Sequence, residues 1–365
     1  MLEASRAFVT PHCPRSRCPF HRSPAGWRFV RFGFYTRQAS PQRIQRFRCA
    51  TCGHTFSTQT FATTYWLRSP QRLAQVFYRL LACSAYRQIA REARCHANTV
   101  MHLAARLGRH CLLFLAQHRP QGPVTEPLVV DGFESFEFSQ YHPIHLNVAV
   151  GAHSHYVYGL TDAELRRKGR MTADQRRRRH ELERLRGRPD PKAIEHALAE
   201  LVRMSVPTPQ ALTVRSDEHP AYPRALRRLT GYAICHERTI STEPRTRHNP
   251  LFPVNLLDLL LRHGSANHKR ETIAFSKRRQ SAVERAAVLL VWRNFIKRFS
   301  ERRGGPTPAM RLGLTQHPLS VERVLGERLF PSRVALPECW RRYYRRDLDT
   351  RDIPRCRRHL LKLAY

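Results

Sequence analysis

Residues 128–138 read LVVDGFESFEF, and residues 145–160 read HLNVAVGAHSHYVYGL. Three apolar residues feed straight into Asp131, and the apolar spacing on either side is that of strands, so the stretch predicts a run of antiparallel β-structure. The arrangement returns at residues 210–226, QALTVRSDEHPAYPRAL, where the β-like run ALTVRS delivers Asp217 and a helix follows. GYAICHERT (231–239) supplies another strand and FPVNLLDLLLRH (252–263) another helix. The order is three strands, helix, strand, helix, strand, helix, which predicts a mixed sheet flanked by helices.

Side chains from neighbouring strand ends converge, so Asp131 and Asp217 are expected at one site. Taken singly, each has a plainer use as a turn or cap residue. Two of them in a strongly basic chain favour metal ligation, because phosphodiester chemistry uses two hard cations about 3.5 to 4 Å apart and such cations take carboxylate oxygens. A third acid is then expected from a helix. In PVNLLDLLLRH, Asn255, Asp258 and Arg262 fall at i, i+3 and i+7 on one face, and Leu256, Leu257, Leu260 and Leu261 cover most of the remainder. Asp258 is the expected third ligand, against the simpler reading of a surface pair with Arg262. Glu271 in HKRETIAF and Glu284 in SAVERAAVLLVWRNFIKRF compete with it, their plainer uses being a neighbouring arginine and a surface salt bridge. The element order is that of a ribonuclease H-like α/β domain.

Lys and Arg number 64 against 28 Asp and Glu, a formal charge of +36. An enzyme of neutral metabolites does not require that excess, and the expected partner is a polyanion. Residues 162–206 form a basic helical insertion in which Arg176 to Arg179 are expected to meet phosphates. Lys269, Arg270, Lys277, Arg278 and Arg279 form a strip expected to hold a DNA backbone near the metals, with Arg262 as a further expected DNA contact. The first residues lack the order of a secretion signal and no apolar run approaches ~18 residues, so a soluble, cytoplasmic, nucleoid-associated protein is expected. Ten cysteines are too sparse for a disulfide scaffold. Cys83, Cys95, Cys111, Cys235, Cys339 and Cys356 are assigned no chemistry, and the histidines form no HExxH pattern.

Four other cysteines pair as HCPRSRC and RCATCGHTF. Cys13, Cys18, Cys49 and Cys52 can present four thiolates to one structural Zn²⁺, with WRFVRFGFYTRQ and IQRFRC as short strands between the knuckles. The wider spacing of the first pair leaves His12, His21 and His54 in competition as ligands. This zinc ribbon is placed at 10–66. QRLAQVFYRLLA, YRQIAREA and NTVMHLAARLGRHCLLFLA then predict three helices over 70–118 with two tight turns, a helix-turn-helix. Ile89, Ala90, Val100 and Leu103 face inward; Asn98, Thr99, His102 and Arg106 are placed to reach base edges. The plainer reading is a trihelical linker with solvated polar residues.

The order of ribbon, helix-turn-helix and carboxylate domain resembles bacterial insertion-sequence transposases of the DDE type, of the insertion-sequence-one kind, over roughly residues 10 to 315. RCATCGHTFS, ARCHANTVMHLA, NHKRETIAFSKRRQSAVERAAVLLVWRNFIKRF and TPAMRLGLTQHPLSVERVL carry the likeness most specifically. Arg262, Arg270, Thr272, Phe275, Ser276 and Lys277 match the family's late motif. The resemblance implies binding to terminal inverted repeats of double-stranded DNA, cleavage at the element ends and joining of 3′-hydroxyls to target DNA. It also implies Mg²⁺ or Mn²⁺ at an acidic triad and an assembly of at least two copies. Asp131 and Asp217 match its first two acids. Where relatives place Glu, with Asn one turn later, this chain has Asn255 and then Asp258, a displacement of one turn, ~5.4 Å. The expected architecture is therefore multidomain α+β, with the catalytic domain at 126–305 and a basic C-terminal extension at 306–365. Two rival functions remain: a DNA-binding regulator that no longer cuts, and a metal-dependent nuclease without transfer.

Overall fold

The computed structural model describes residues 12–60, 62–269, 272–300 and 302–349. After a single turn α1 (Pro19–Arg22), β1 (Phe29–Thr36), β2 (Arg43–Cys49) and β3 (Thr55–Ser57) form an antiparallel sheet. Helices α2 (Arg72–Leu81), α3 (Tyr86–Glu92) and α4 (Ala97–Gln117) follow. A five-stranded sheet then comprises β4 (Leu128–Phe136), β5 (Pro143–Gly151), β6 (Val157–Glu164), β7 (Ala211–Ser216) and β8 (Ala233–Arg238). Helices α5 (Ala173–Arg186) and α6 (Ala193–Ser205) lie between β6 and β7, and α7 (Ala221–Leu226) between β7 and β8. Beyond the sheet come α8 (Phe252–Gly264), α9 (Arg279–Val291), α10 (Pro308–Arg311), α11 (Val321–Gly326) and α12 (Glu338–Arg345).

The strand order is β6-β5-β4-β7-β8, with β4, β5 and β6 antiparallel and β7 and β8 parallel to β4. It is the mixed sheet flanked by helices that the element order predicts. β5 is buried along nearly its whole length and β4 over Leu128–Val130, because helices cover both faces. Thr161 on β6 donates to the Ala197 carbonyl of α6 at 2.9 Å, and α8 packs on β4 and β5. The apolar segment of the opening stretch ends at Asp131, but the strand itself continues to Phe136.

Ile89, Ala90, Val100 and Leu103 are buried as predicted. Their helices are nonetheless not set apart from the sheet. A single apolar core runs from Leu73 through β4–β7 and α9 to Leu348, and α4 is buried on most sides from Leu103 to Ala116. Its closest neighbour is α9: a Cβ on Gly108 would stand 2.5 Å from the Glu284 Cβ, so glycine is what lets the two axes approach. Cys83 N donates to the Gly264 carbonyl of α8 at 2.9 Å, tying the first tight turn to the same layer.

Two charge expectations change. Within α5, Arg177 pairs with Asp174, Arg178 with Glu181 at 3.1 Å and Arg179 with Glu183 at 3.6 Å, so most of the arginine run is neutralised on its own helix. The residues after 306 contribute Val321, Val324, Trp340, Tyr343 and Tyr344 to the core and are structural as far as Asp349. Cys356 and the rest of that tail lie outside the described residues.

Candidate functional site

Asp131 sits on the face of β4 that meets α8, since Phe133, two residues on, packs against His268 at 5.3 Å and under the Arg262 guanidinium at 5.2 Å. Asp217 follows the last residue of the adjacent parallel strand β7. Asp258 comes from the middle of α8, where Val254, Leu257 and Leu261 are buried. The acids are close enough to act on one another's ionisation. Burial first, and the Asp217 charge with it, pushes the Asp131 carboxyl up to about 6. Burial and then the Asp131 charge push Asp258 up to about 8. Tyr222 on α7 is driven upward by burial and then by the charges of Asp131, Asp217 and Asp258, so its phenol stays protonated.

Hydrogen bonds occupy one oxygen of Asp131 and one of Asp217. Asp131 Oδ1 accepts from Gly132 N at 2.7 Å and from the Tyr222 hydroxyl at 3.0 Å. Asp217 Oδ1 accepts from His219 N at 2.8 Å. Asp258 Oδ1 is buried with no hydrogen-bond partner, which is costly for a carboxylate unless a cation or proton meets it. An all-carboxylate donor set with an orphaned oxygen fits a hard cation such as Mg²⁺. The three carboxylates stand further apart than a single-ion cluster: among the described residues, the four ribbon cysteines alone gather three or more ligand atoms within 4.8 Å of one another. A pair of ions about 3.5 to 4 Å apart suits that wider spacing.

Asn255 is half-buried on the turn of α8 before Asp258. Glu284 does not face the acids. It is buried on α9, pushed up by burial and paired with Arg346 at 3.1 Å, so the expected surface salt bridge is an internal one. Glu271 and Arg270 lie outside the described residues. Sequence reading missed Tyr222, and it missed Arg245, an exposed residue of the loop before α8 whose charge lowers both Asp131 and Asp258. Tyr222 was legible in principle, five residues after Asp217 on the following helix. Gly132 is required by close approach: a Cβ there would meet His145 Cε1 at 2.2 Å on the opposite sheet face.

Of the residues expected on DNA, Asn98 and His102 are exposed and Thr99 is half-buried on the first turns of α4. Lys269 is exposed, and Lys277 is exposed with its ammonium 3.0 Å from the Phe275 ring centroid. Arg278 is half-buried. Three expectations are corrected. Arg106 donates to the carbonyls of Thr63 and Tyr65, both at 2.7 Å, and braces the loop before α2. Arg262 donates to the His268 carbonyl at 3.2 Å and lies over the Phe133 ring. Arg279, its side chain only 11% exposed, pairs with Asp162 and Glu164 and is held inside the domain.

At the other end of the chain, Cys13, Cys18, Cys49 and Cys52 bring their sulfurs within 4.8 Å of one another, with Cys13 and Cys52 3.6 Å apart. Bonds of ~2.3 Å to a tetrahedral Zn²⁺ give sulfur separations of ~3.8 Å, so the donor set fits the ion. Trp27 Nε1 donates to Cys49 Sγ at 3.2 Å, an orienting bond typical around such ligands. His21 instead donates to the Cys13 carbonyl at 2.7 Å, and His12 packs edge-on to it, so neither belongs to the sulfur group; nor does His54.

No helix among the described residues is long and apolar enough to cross a membrane. No protein-family model and no curated protein matches this chain. Among solved structures, it is similar to the HTLV-2 integrase catalytic core domain, determined with magnesium in a dimeric form, at 15% identity over 52% of this chain and 95% of that one, with a TM-score of 0.24. It is also similar to a simian T-cell lymphotropic virus intasome bound to PP2A regulatory subunit B56 gamma, at 16% identity over 60% and 72%, again with a TM-score of 0.24. Superposition that loose leaves the fold assignment resting on the strand order described above.

Proposed function

We propose that this chain is a DDE-type transposase that binds the terminal inverted repeats of an insertion sequence, cuts DNA at the element ends and joins the 3′-hydroxyls to target DNA. The observation that carries the reading is the convergence of Asp131, Asp217 and Asp258 from two adjacent parallel strands and a helix, each raising the proton affinity of another or of Tyr222. Asp131, Asp217 and Asp258 would hold Mg²⁺ or Mn²⁺, which would supply activation of the attacking oxygen and stabilisation of the leaving oxygen. Tyr222 fixes the Asp131 carboxylate by donating to Oδ1. Arg245 offsets the negative charge of the acids, and Lys269 and Lys277 approach the DNA backbone. Asn98, Thr99 and His102 read the repeat, and the ribbon zinc is structural. Joining two ends calls for at least two copies on DNA.

A labelled duplex carrying the element's terminal repeats, a target plasmid and Mg²⁺ test this directly. Joined product is expected with the wild type and its loss, by a factor of about 10² or more, with Asp131→Asn or Asp258→Asn. Full joining by Asp258→Asn sinks the third ligand. Asn255, standing one turn before Asp258, keeps a second reading in view, a DNA-binding regulator that no longer cuts; binding without cleavage by the wild type would establish it. Cleavage without joining would make the protein a nuclease.

A further inference from the structure

A cavity of about 810 Å³, within the size range of ligand pockets, opens between the zinc-ribbon sheet and the loop leading into α2. Its wall includes the aromatic residues Tyr35, Tyr65 and Trp66 and the arginines Arg37, Arg46 and Arg68, and no acidic residue lines it. Trp66 is 72% exposed, although an indole of this size normally contributes to a core. Its φ of +62° places it in the left-handed region, which a residue with a Cβ enters only when its surroundings hold it there.

The surroundings do hold it. Arg106 grips the carbonyls of Thr63 and Tyr65 in the segment just before it, and Leu67 N donates to the Thr64 carbonyl at 3.1 Å. Arg37 is equally fixed: Nε donates to the Pro41 carbonyl at 3.0 Å, Nη2 to the Ser40 carbonyl at 2.8 Å and Nη1 to Gln59 at 3.3 Å. The outer surface of the hairpin continues the composition, with Arg43 3.8 Å from the Phe34 ring centroid and Arg48 4.8 Å from that of Phe32. Phe32, Phe34 and Tyr35 are all exposed along β1.

Preorganised aromatic faces interleaved with guanidinium groups meet two needs together, stacking and phosphate neutralisation. A base pair within a duplex has its faces covered by its neighbours, whereas an unpaired base presents them. We propose that this groove binds unpaired DNA, with a base stacked on Trp66 and Tyr35 and the backbone phosphates against Arg37, Arg46 and Arg68. It is a second nucleic-acid site, apart from the three aspartates and from the exposed face of α4. The choice of DNA as the polyanion rests on the function proposed above; the stacking geometry does not.

The test uses full-length, zinc-loaded protein and two labelled probes, an oligothymidylate of about 12 nucleotides and a duplex of equal length, at about 0.2 M salt so that bulk phosphate attraction is weakened. Trp66→Ala is expected to weaken oligothymidylate binding about 5- to 150-fold, the range seen for loss of one stacked base, and to leave duplex binding unchanged. Trp66→Phe retains most of the affinity, and oligothymidylate quenches tryptophan emission in the wild type but not in that variant. Should Trp66→Ala lose its zinc, Arg68→Ala provides the second variant, expected to weaken single-strand binding and reduce its salt slope by about 1. The proposal is overturned by unchanged single-strand affinity in these variants, by equal loss on both probes, or by tighter binding of oligouridylate than oligothymidylate. Absence of strand joining with Trp66-dependent binding intact would fail the transposase reading and leave the groove standing; normal joining with no effect of Trp66 would do the reverse.

Discussion

Asp258 shows how much a single side chain can carry. Its ordinary value is 3.8 and the fold holds it at about 8, so between those pH values the metal-free native state keeps a proton that the unfolded chain has released. Stability therefore falls as pH rises through that window, and this group's contribution, complete below about 4, is gone above about 8. Asp131, raised to about 6, adds to the acid half of the same slope. Urea midpoints of zinc-loaded protein without Mg²⁺ are expected to be lower at about pH 9 than at about pH 5, with Asp258→Asn flattening the difference and Mg²⁺ raising the midpoint most at the alkaline end. An unchanged slope in Asp258→Asn would remove the buried-carboxyl account. The sequence exposed this residue because a carboxylate stood in a leucine-walled stripe. Tyr222 left only a weak signal, its place five residues after Asp217, because its importance comes from a hydroxyl 3.0 Å from Asp131, a residue 91 positions earlier in the chain.

At the scale of elements, periodicity located the strands and most helices, because apolar spacing records which face is buried. It does not record what covers that face. The third helix of the expected helix-turn-helix is α4, which continues to Gln117 and packs on α9 through Gly108, a contact between segments far apart in sequence. For the same reason the basic strip was only partly legible. Lys277 is exposed as expected, yet Arg279, two residues later, turns inward beneath β6, where Asp162 and Glu164 wait for it. Removing that guanidinium leaves Asp162, almost fully buried, without its cation. Arg279→Gln is expected to lower unfolding stability by about 3–5 kcal/mol in a denaturant titration while DNA affinity per folded molecule is unchanged. Weaker DNA binding at full stability would instead return Arg279 to the DNA strip.

Across the whole molecule, the residues expected to form an appended tail hold the ribbon against the rest. Arg333 donates to the Arg22 carbonyl at 2.6 Å and to that of His21, Phe330 packs against the rings of His12 and His21 at 5.1 and 5.6 Å, and Thr63 donates to the Leu325 carbonyl at 2.8 Å. The same segment is anchored on α4, since His110 donates to the Val324 carbonyl at 2.8 Å and His118 contacts Glu327 at 2.8 Å. The ribbon's own apolar core is small, its cysteines with Phe20 and Trp27 and a cluster of Phe29, Phe47 and Phe56 beside Ile44, so a Zn²⁺ held by the four thiolates would contribute far more to its folding than to the sheet domain's. Chelating the zinc is therefore expected to unfold residues 12–57 and free the stretch around Phe330. Trypsin would then gain access after Arg328 and Arg333, whereas Arg109 on α4 and Arg285 on α9, both buried, would stay protected. A single cooperative loss of the whole structure on chelation would show that the ribbon and the sheet domain fold as one unit. If no new cleavage appeared, the segment after α11 would be held by α4 without help from the ribbon.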